Sequence, residues 1–198
     1  MKELVSEYIS TRICHDIIGN IGAVANAVEL LEEGDLDFMD DIKSILKTSS
    51  SVLTARMKFF RIAFGLSNAQ INNVIELENI IKNYLKTVGG KTPPELDCNI
   101  NECKTCKAIL LLAMIMADIM IKGGTIHINT QNDKIIVGID ETVRIAEDKF
   151  NHLLEIMRGN YNQVSAQDAP LLYMLELCKK EELRIEYATS PVLCFVVG

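Results

Sequence analysis

Residues 12–35 read RICHDIIGNIGAVANAVELLEEGD, and this stretch decides the fold. Apolar residues recur at Ile13, Ile17, Ile21, Val24, Val28 and Leu31, spaced by fours and threes, with no proline anywhere from residue 3 to residue 33. That spacing predicts one long amphipathic helix. Gly34 ends it, and Asp35 and Asp37 offer N-caps for a second helix whose stripe is Met39, Ile42, Leu46, Leu53, Met57, Phe60 and Phe64. The two helices, each roughly 40 Å long, form an antiparallel hairpin that cannot cover its own stripes on every side. A second copy of the chain is expected to complete a four-helix bundle in a homodimer; the alternative is that the hairpin packs on the rest of its own chain.

The long helical pattern stops around Gly65-Leu66-Ser67-Asn68, which predicts a division into a hairpin of residues 1–67 and a second domain of residues 68–198. The second part reads as a helix over 74–88, a loop with two glycines and two prolines, a short strand over 96–100 and an apolar helix over 103–121. Gly123-Gly124 turns the chain into strands 125–130 and 134–140, which look like a hairpin. Helices over 147–157 and 168–180 follow, then strands 183–188 and 192–197. Helices beside a mostly antiparallel sheet make an α/β sandwich, so the whole chain falls in the α+β class.

With 198 residues, 48% of them apolar and 24% charged, the chain has ample material for a buried core and is neither disordered nor fibrous. Its 20 Lys and Arg against 27 Asp and Glu give a net charge of -7 without an extended basic run, which argues against nucleic acid and anionic membrane as partners. The longest apolar run, 108–121, is interrupted by Asp118 and falls short of the ~20 residues of a bilayer span. The start, MKELVSEYIS, carries two glutamates and no apolar core, so it does not read as a signal peptide and a cytoplasmic location is expected. The cysteines Cys14, Cys98, Cys103, Cys106, Cys178 and Cys194 then read as reduced thiols.

His15 is the most informative residue. A helical wheel puts it about 160° from the centre of its own helix's apolar stripe, beside Arg12, Gly19, Gly22 and Asn26, with Asp16 next in sequence. Taken alone, an exposed histidine is most often a solvated surface residue. Its surroundings here are small and polar, however, and Gly19 and Gly22 each cost a helix up to ~1 kcal/mol, which close approach by a partner would explain. Cys98, Cys103 and Cys106 contain a Cys-x-x-Cys spacing, but with no fourth ligand in view no zinc site is expected. His127 reads as a solvent-face strand residue, His152 has no catalytic neighbour in sequence, and Met114, Met116 and Met120 read as core.

The quoted segment resembles the histidine box of two-component signalling, and more closely the ChpT-type bacterial histidine phosphotransferases. The residues that carry the likeness are the triplet Cys14-His15-Asp16, the small-residue stretch after it and the acidic, leucine-rich end Glu29 to Glu33. Asn20 stands where these families usually have proline. Further on, KGGTIHI at residues 122–128 resembles the turn and strand after the N box of a histidine-kinase ATPase domain, and the segment from Ala169 onward is similar to that domain's last helix and hairpin. The nucleotide boxes are missing. AILLLAMIMADIM stands where an asparagine would hold Mg²⁺, Asp140-Glu141-Thr142 replaces a glycine loop, and no glycine pair precedes Leu171.

The resemblance therefore implies a degenerate ATPase-like domain joined to a dimerising hairpin. It also implies a relay in which His15 takes a phosphoryl group from the receiver domain of a hybrid histidine kinase and hands it to response-regulator receivers. No cofactor of this chain's own is expected, Mg²⁺ being the receiver's. Asp16 would orient the imidazole, Arg12 would meet the phosphoryl charge, and Gly19, Gly22 and Asn26 would form the docking surface; a solvated acid and a solvated base are the plain alternatives for the first two. The rival functions are a dimeric module that binds receivers without accepting phosphate and an autophosphorylating kinase core.

Overall fold

Thirty-two residues, Lys2–Glu33, form a single uninterrupted helix, α1, in the computed structural model, which describes residues 2–34, 36–65, 71, 73–100, 105–132, 134–189 and 193–198. Gly34, at φ +76°, ends it in the left-handed region that glycine enters at least cost. A 3-10 turn over Leu36–Phe38 leads into α2, Met39–Ala63. The expected capping differs: Asp37 lies within that turn, the N-cap is Phe38 without a side-chain cap hydrogen bond, and Asp35 is outside the described residues. The expected boundary after residue 67 is likewise outside them.

Next come α3 (Val74–Leu85), β1 (Glu95–Asn99), α4 (Cys106–Ile119), β2 (Thr125–Gln131), β3 (Lys134–Ile139), α5 (Glu147–Met157), a 3-10 turn (Ala166–Asp168), α6 (Ala169–Lys180), β4 (Ile185–Ala188) and β5 (Leu193–Val197). Asn73 caps α3 by accepting from the backbone N–H of Glu76 at 2.8 Å. The five strands lie in the order β1-β2-β3-β5-β4. β1 runs parallel to β2, with Asp97 opposite His127, and the other three pairings are antiparallel. The mixed α+β class and mostly antiparallel sheet thus follow the sequence pattern.

α4 is the centre of the molecule. Every residue from Ala108 to Met116 is at most 2% exposed, because the helix is covered by β2 and β3 on one side and by α2, α3, α5 and α6 on the others. A helix apolar all round has nowhere else to sit. Met114 and Met116 are core residues, as expected. Gly124, at φ +108°, turns the chain from α4 into β2, and a Cβ there would come within 2.7 Å of Val143.

The buried apolar cluster does not stop at the hairpin. Val5 of α1 and Phe59, Phe60, Ile62 and Ala63 of α2 join it to Leu77, Ile81 and Tyr84 of α3 and to α4. Phe59 stacks on Tyr84 with ring centroids 3.9 Å apart. The open end of the hairpin therefore packs on the rest of its own chain. The far half does not, since Ile21, Val28 and Leu31 of the predicted stripe are 45%, 43% and 38% exposed in the single chain.

Cys14, Cys98, Cys178 and Cys194 are free thiols, but Cys106 is disulfide-bonded, which corrects the reading of all six cysteines as reduced. Cys103 is outside the described residues, among which no group of ligands suited to a metal ion occurs. No helix among them is long and apolar enough to cross a membrane.

Candidate functional site

His15 lies in the middle of α1 with its side chain 80% exposed. Gly19, Gly22 and Asn26 follow it along the same exposed face, and a Cβ built on either glycine would meet nothing within 4 Å. Among the described residues, then, no interhelix contact demands these glycines. Asp16 is adjacent, with Oδ1 3.4 Å from His15 Nδ1.

Arg12 is where the structure departs from the wheel. It was expected on the exposed face with His15, yet it is only 8% exposed. The physical reason is that a wheel sees one helix, whereas α6 and the turn before it pack against the inner half of α1, and Asp118 of α4 reaches the same edge. Its Nε donates to Asp16 Oδ2 at 2.8 Å, Nη2 to Asp118 Oδ1 at 2.8 Å and Nη1 to the Gln167 carbonyl at 3.4 Å. Burial alone would lower the guanidinium pKa, but Asp118 and Asp16 outweigh it and raise it, so Arg12 stays charged. Burial pushes the Asp118 carboxyl above its ordinary range, against the pull of Arg12. Three of its five guanidinium N–H groups are thus engaged within the chain, so Arg12 is a buried tie between α1, Asp118 and the turn before α6 and not a solvated base on an exposed face.

A second arginine, not singled out by the sequence, fixes the main chain at the same point. Arg56 of α2 donates through Nη1 to the backbone carbonyl of Asp16, through Nε to Thr87 Oγ1 at 3.1 Å and through Nη2 to the Thr87 carbonyl at 2.7 Å. Asp16 is thereby held by its carboxylate from one side and by its carbonyl from the other.

Beside His15 opens a cleft of about 440 Å³ between α1, the end of α4, α5 and the turn before α6. Arg12, His15, Asp16, Asp118, Lys149 and His152 all line it. His152 Nε2 lies 3.1 Å from Asp168 Oδ2, and the nearly buried Asp168 also accepts from the Ser165 backbone N–H at 2.8 Å and hydroxyl at 3.1 Å. His152 thus acquires in three dimensions the neighbours it lacked in sequence. His127 acquires neighbours too, Asp97 Oδ2 and Asp140 Oδ1, each at 3.0 Å, but it does not line this cleft.

Comparison with known proteins agrees with this architecture. A family model of the histidine phosphotransferase C-terminal domain matches residues 74–191. The protein phosphotransferase ChpT of Brucella abortus (strain 2308) is 46% identical over 197 residues, spanning 94% of this chain and 91% of that protein. A solved structure described as a bacterial phosphotransferase at 1.7 Å superposes with a TM-score of 0.78 and 25% identity, over 100% of this chain and 97% of its own. A family match over more than half of the chain and a relative of that identity along nearly its whole length establish that the chain belongs to the histidine phosphotransferases, enzymes that pass on a phosphoryl group through a histidine.

Proposed function

We propose that His15 is the phosphoryl acceptor of a relay that runs between receiver-domain aspartates, from a hybrid histidine kinase to response regulators. The observation that carries this reading is an imidazole 80% exposed on a rigid helix, with a carboxylate 3.4 Å from Nδ1 and unobstructed glycines along the helix beyond it. A proton on Nδ1 facing Asp16 leaves the Nε2 lone pair directed outward. That nitrogen attacks the aspartyl phosphate: the N–P bond forms, the P–O bond to the receiver aspartate breaks, and the aspartate leaves with the electron pair. Handing the group to a second receiver reverses these steps. This chain supplies the nucleophile and its orientation; Mg²⁺ belongs to the receiver.

Transfer without nucleotide is part of the same proposal. Where a kinase would offer a metal-holding asparagine, α4 presents side chains from Ala108 to Met116 packed into the core. Titration calorimetry with Mg-ATP should show no binding, and a micromolar dissociation constant would overturn that part. A homodimer is proposed on the apolar residues left on the hairpin, Ile18 at 63%, Ile21 at 45% and Met57 at 48% exposed, and on the apolar groove of about 780 Å³ between Ile9, Ile13, Leu53 and Phe60. Sedimentation should give twice the 22.1 kDa of one chain. We place the protein in the cytoplasm, where receiver domains of this kind act.

The deciding experiment incubates the purified protein with a phosphorylated receiver and looks for an acid-labile, base-stable label. His15→Gln should abolish the label while leaving the fold intact. Labelling of the variant at the wild-type rate would put the acceptor elsewhere, and a wild-type protein that binds the receiver but takes no label would be an interaction module.

A further inference from the structure

A line of contacts leads from the buried centre of the molecule to the His15 ring. Asp118, near the end of the apolar helix α4, takes Arg12 Nη2 at 2.8 Å; the same guanidinium holds Asp16 Oδ2 at 2.8 Å; and Asp16 Oδ1 faces His15 Nδ1 at 3.4 Å. Arg12 is almost buried, so its planar fork cannot swing away into water. Alone on α1, Arg12 and Asp16 would be an ordinary i,i+4 pair, weak and rotationally loose. Anchored at its other edge by Asp118, the guanidinium has one orientation, and that orientation decides which carboxylate oxygen of Asp16 is left for the ring.

We infer that Asp118 is a positioning residue for phosphotransfer, acting through Arg12 and Asp16 to hold His15 with Nδ1–H toward Asp16 and Nε2 outward. The inference rests on the reading of His15 as the acceptor. It gives the second half of the chain a part in the chemistry without any contact between that half and the phosphoryl group. During transfer the proton stays on Nδ1, the new N–P bond forms at Nε2, and the positive charge that develops on the ring is offset by the Asp16 carboxylate.

The test uses the full-length protein, phosphoramidate as a small donor that needs no docking surface, and ¹⁵N spectra of the histidine rings recorded without any donor. In the wild type the His15 ring should be mainly the Nδ1–H tautomer. Asp118→Asn and Arg12→Lys should each shift it toward Nε2–H and slow phosphorylation about tenfold, at the low end of what mispositioning costs. In an Asp16→Asn background, Asp118→Asn should add no further slowing, because the effect runs through Asp16.

An unchanged tautomer and rate in both single variants would overturn the inference, as would equal slowing by Asp118→Asn with and without the Asp16 carboxylate. If circular dichroism shows Asp118→Asn unfolded, Arg12→Lys decides alone, since it keeps the buried charge and removes only the fork. His15→Gln separates the two layers of the argument. Label persisting in that variant would discard His15 as the acceptor, while the ring spectra would still report whether Asp118 sets its tautomer.

Discussion

The two halves of α1 carry the same kind of apolar spacing and meet opposite fates. In the inner half, Val5 is 3% and Arg12 8% exposed, and Tyr8, Ile9 and Ile13 pack against the core shared with α4 and α6. In the outer half, Ile18, Ile21, Val28 and Leu31 are 63%, 45%, 43% and 38% exposed. His15 sits at the change-over. Periodicity reports that a face will be covered; which body covers it is settled by what the rest of the chain brings alongside. Among the described residues, none of α1 beyond Ile17 joins the main core, although Ala27 stays buried, so the candidate acceptor is anchored from behind and open in front.

The largest expected effect tests the inner half. Phe59→Ala, at a fully buried ring stacked on Tyr84, should cost about 3–5 kcal/mol in urea denaturation; a loss below 1 kcal/mol would mean that hairpin and second half do not share a core. In the outer half, Gly22→Leu should leave the melting temperature equal or higher, since leucine is the better helix former by somewhat under ~1 kcal/mol and meets open space. Transfer from a phosphorylated receiver should slow about tenfold or more, and unimpaired transfer would remove Gly22 from the docking surface.

Smaller effects sharpen the contrast. Among the described residues the buried Tyr84 hydroxyl has no hydrogen-bond partner, and the charges of Asp118, Arg12, Asp16 and Arg56 act on it. Tyr84→Phe should therefore raise stability by about 1 kcal/mol, and a loss of that size would show that the hydroxyl has a partner in solution. His127 lies outside both halves of α1 and serves as the control. Burial opposes its protonation, but its hydrogen bonds to Asp97 and Asp140 prevail and raise its pKa above the ordinary 6.5. The pair's contribution is then fully present below the unfolded value and fades as pH rises through the higher folded one. Wild type should exceed His127→Gln by about 0.5 kcal/mol at pH 6 and not at pH 9, with transfer unaffected; a difference that does not change with pH would refute the ion pairing.

Much of this was legible because the signals are local. The stripe of α1, the glycine stop at Gly34 and the alternation of β2 each depend on near neighbours in sequence. Arg12 was misplaced because its partners come from far along the chain, and no wheel includes them. Asp118 did leave a trace: a lone carboxylate interrupting an apolar helix must find a cation or stay neutral. Which cation it finds is a matter of topology. The clustering of His152 with Asp168 and Ser165 gave no signal at all, since the residues that join them are loop and turn without periodicity.

The separation between Arg12 and its partners also bears on synthesis. Asp118 lies 106 residues downstream and the Gln167 carbonyl 155. At about 5–20 residues per second, a hairpin leaving the ribosome waits many seconds before the groups that will enclose its arginine exist. A prematurely terminated chain can still wind both helices, yet it exposes an unpaired guanidinium and an unsupported His15. Only a chain translated nearly to its end can present the histidine as the finished protein does, which makes nascent and truncated products poor competitors for the receivers that the intact protein serves.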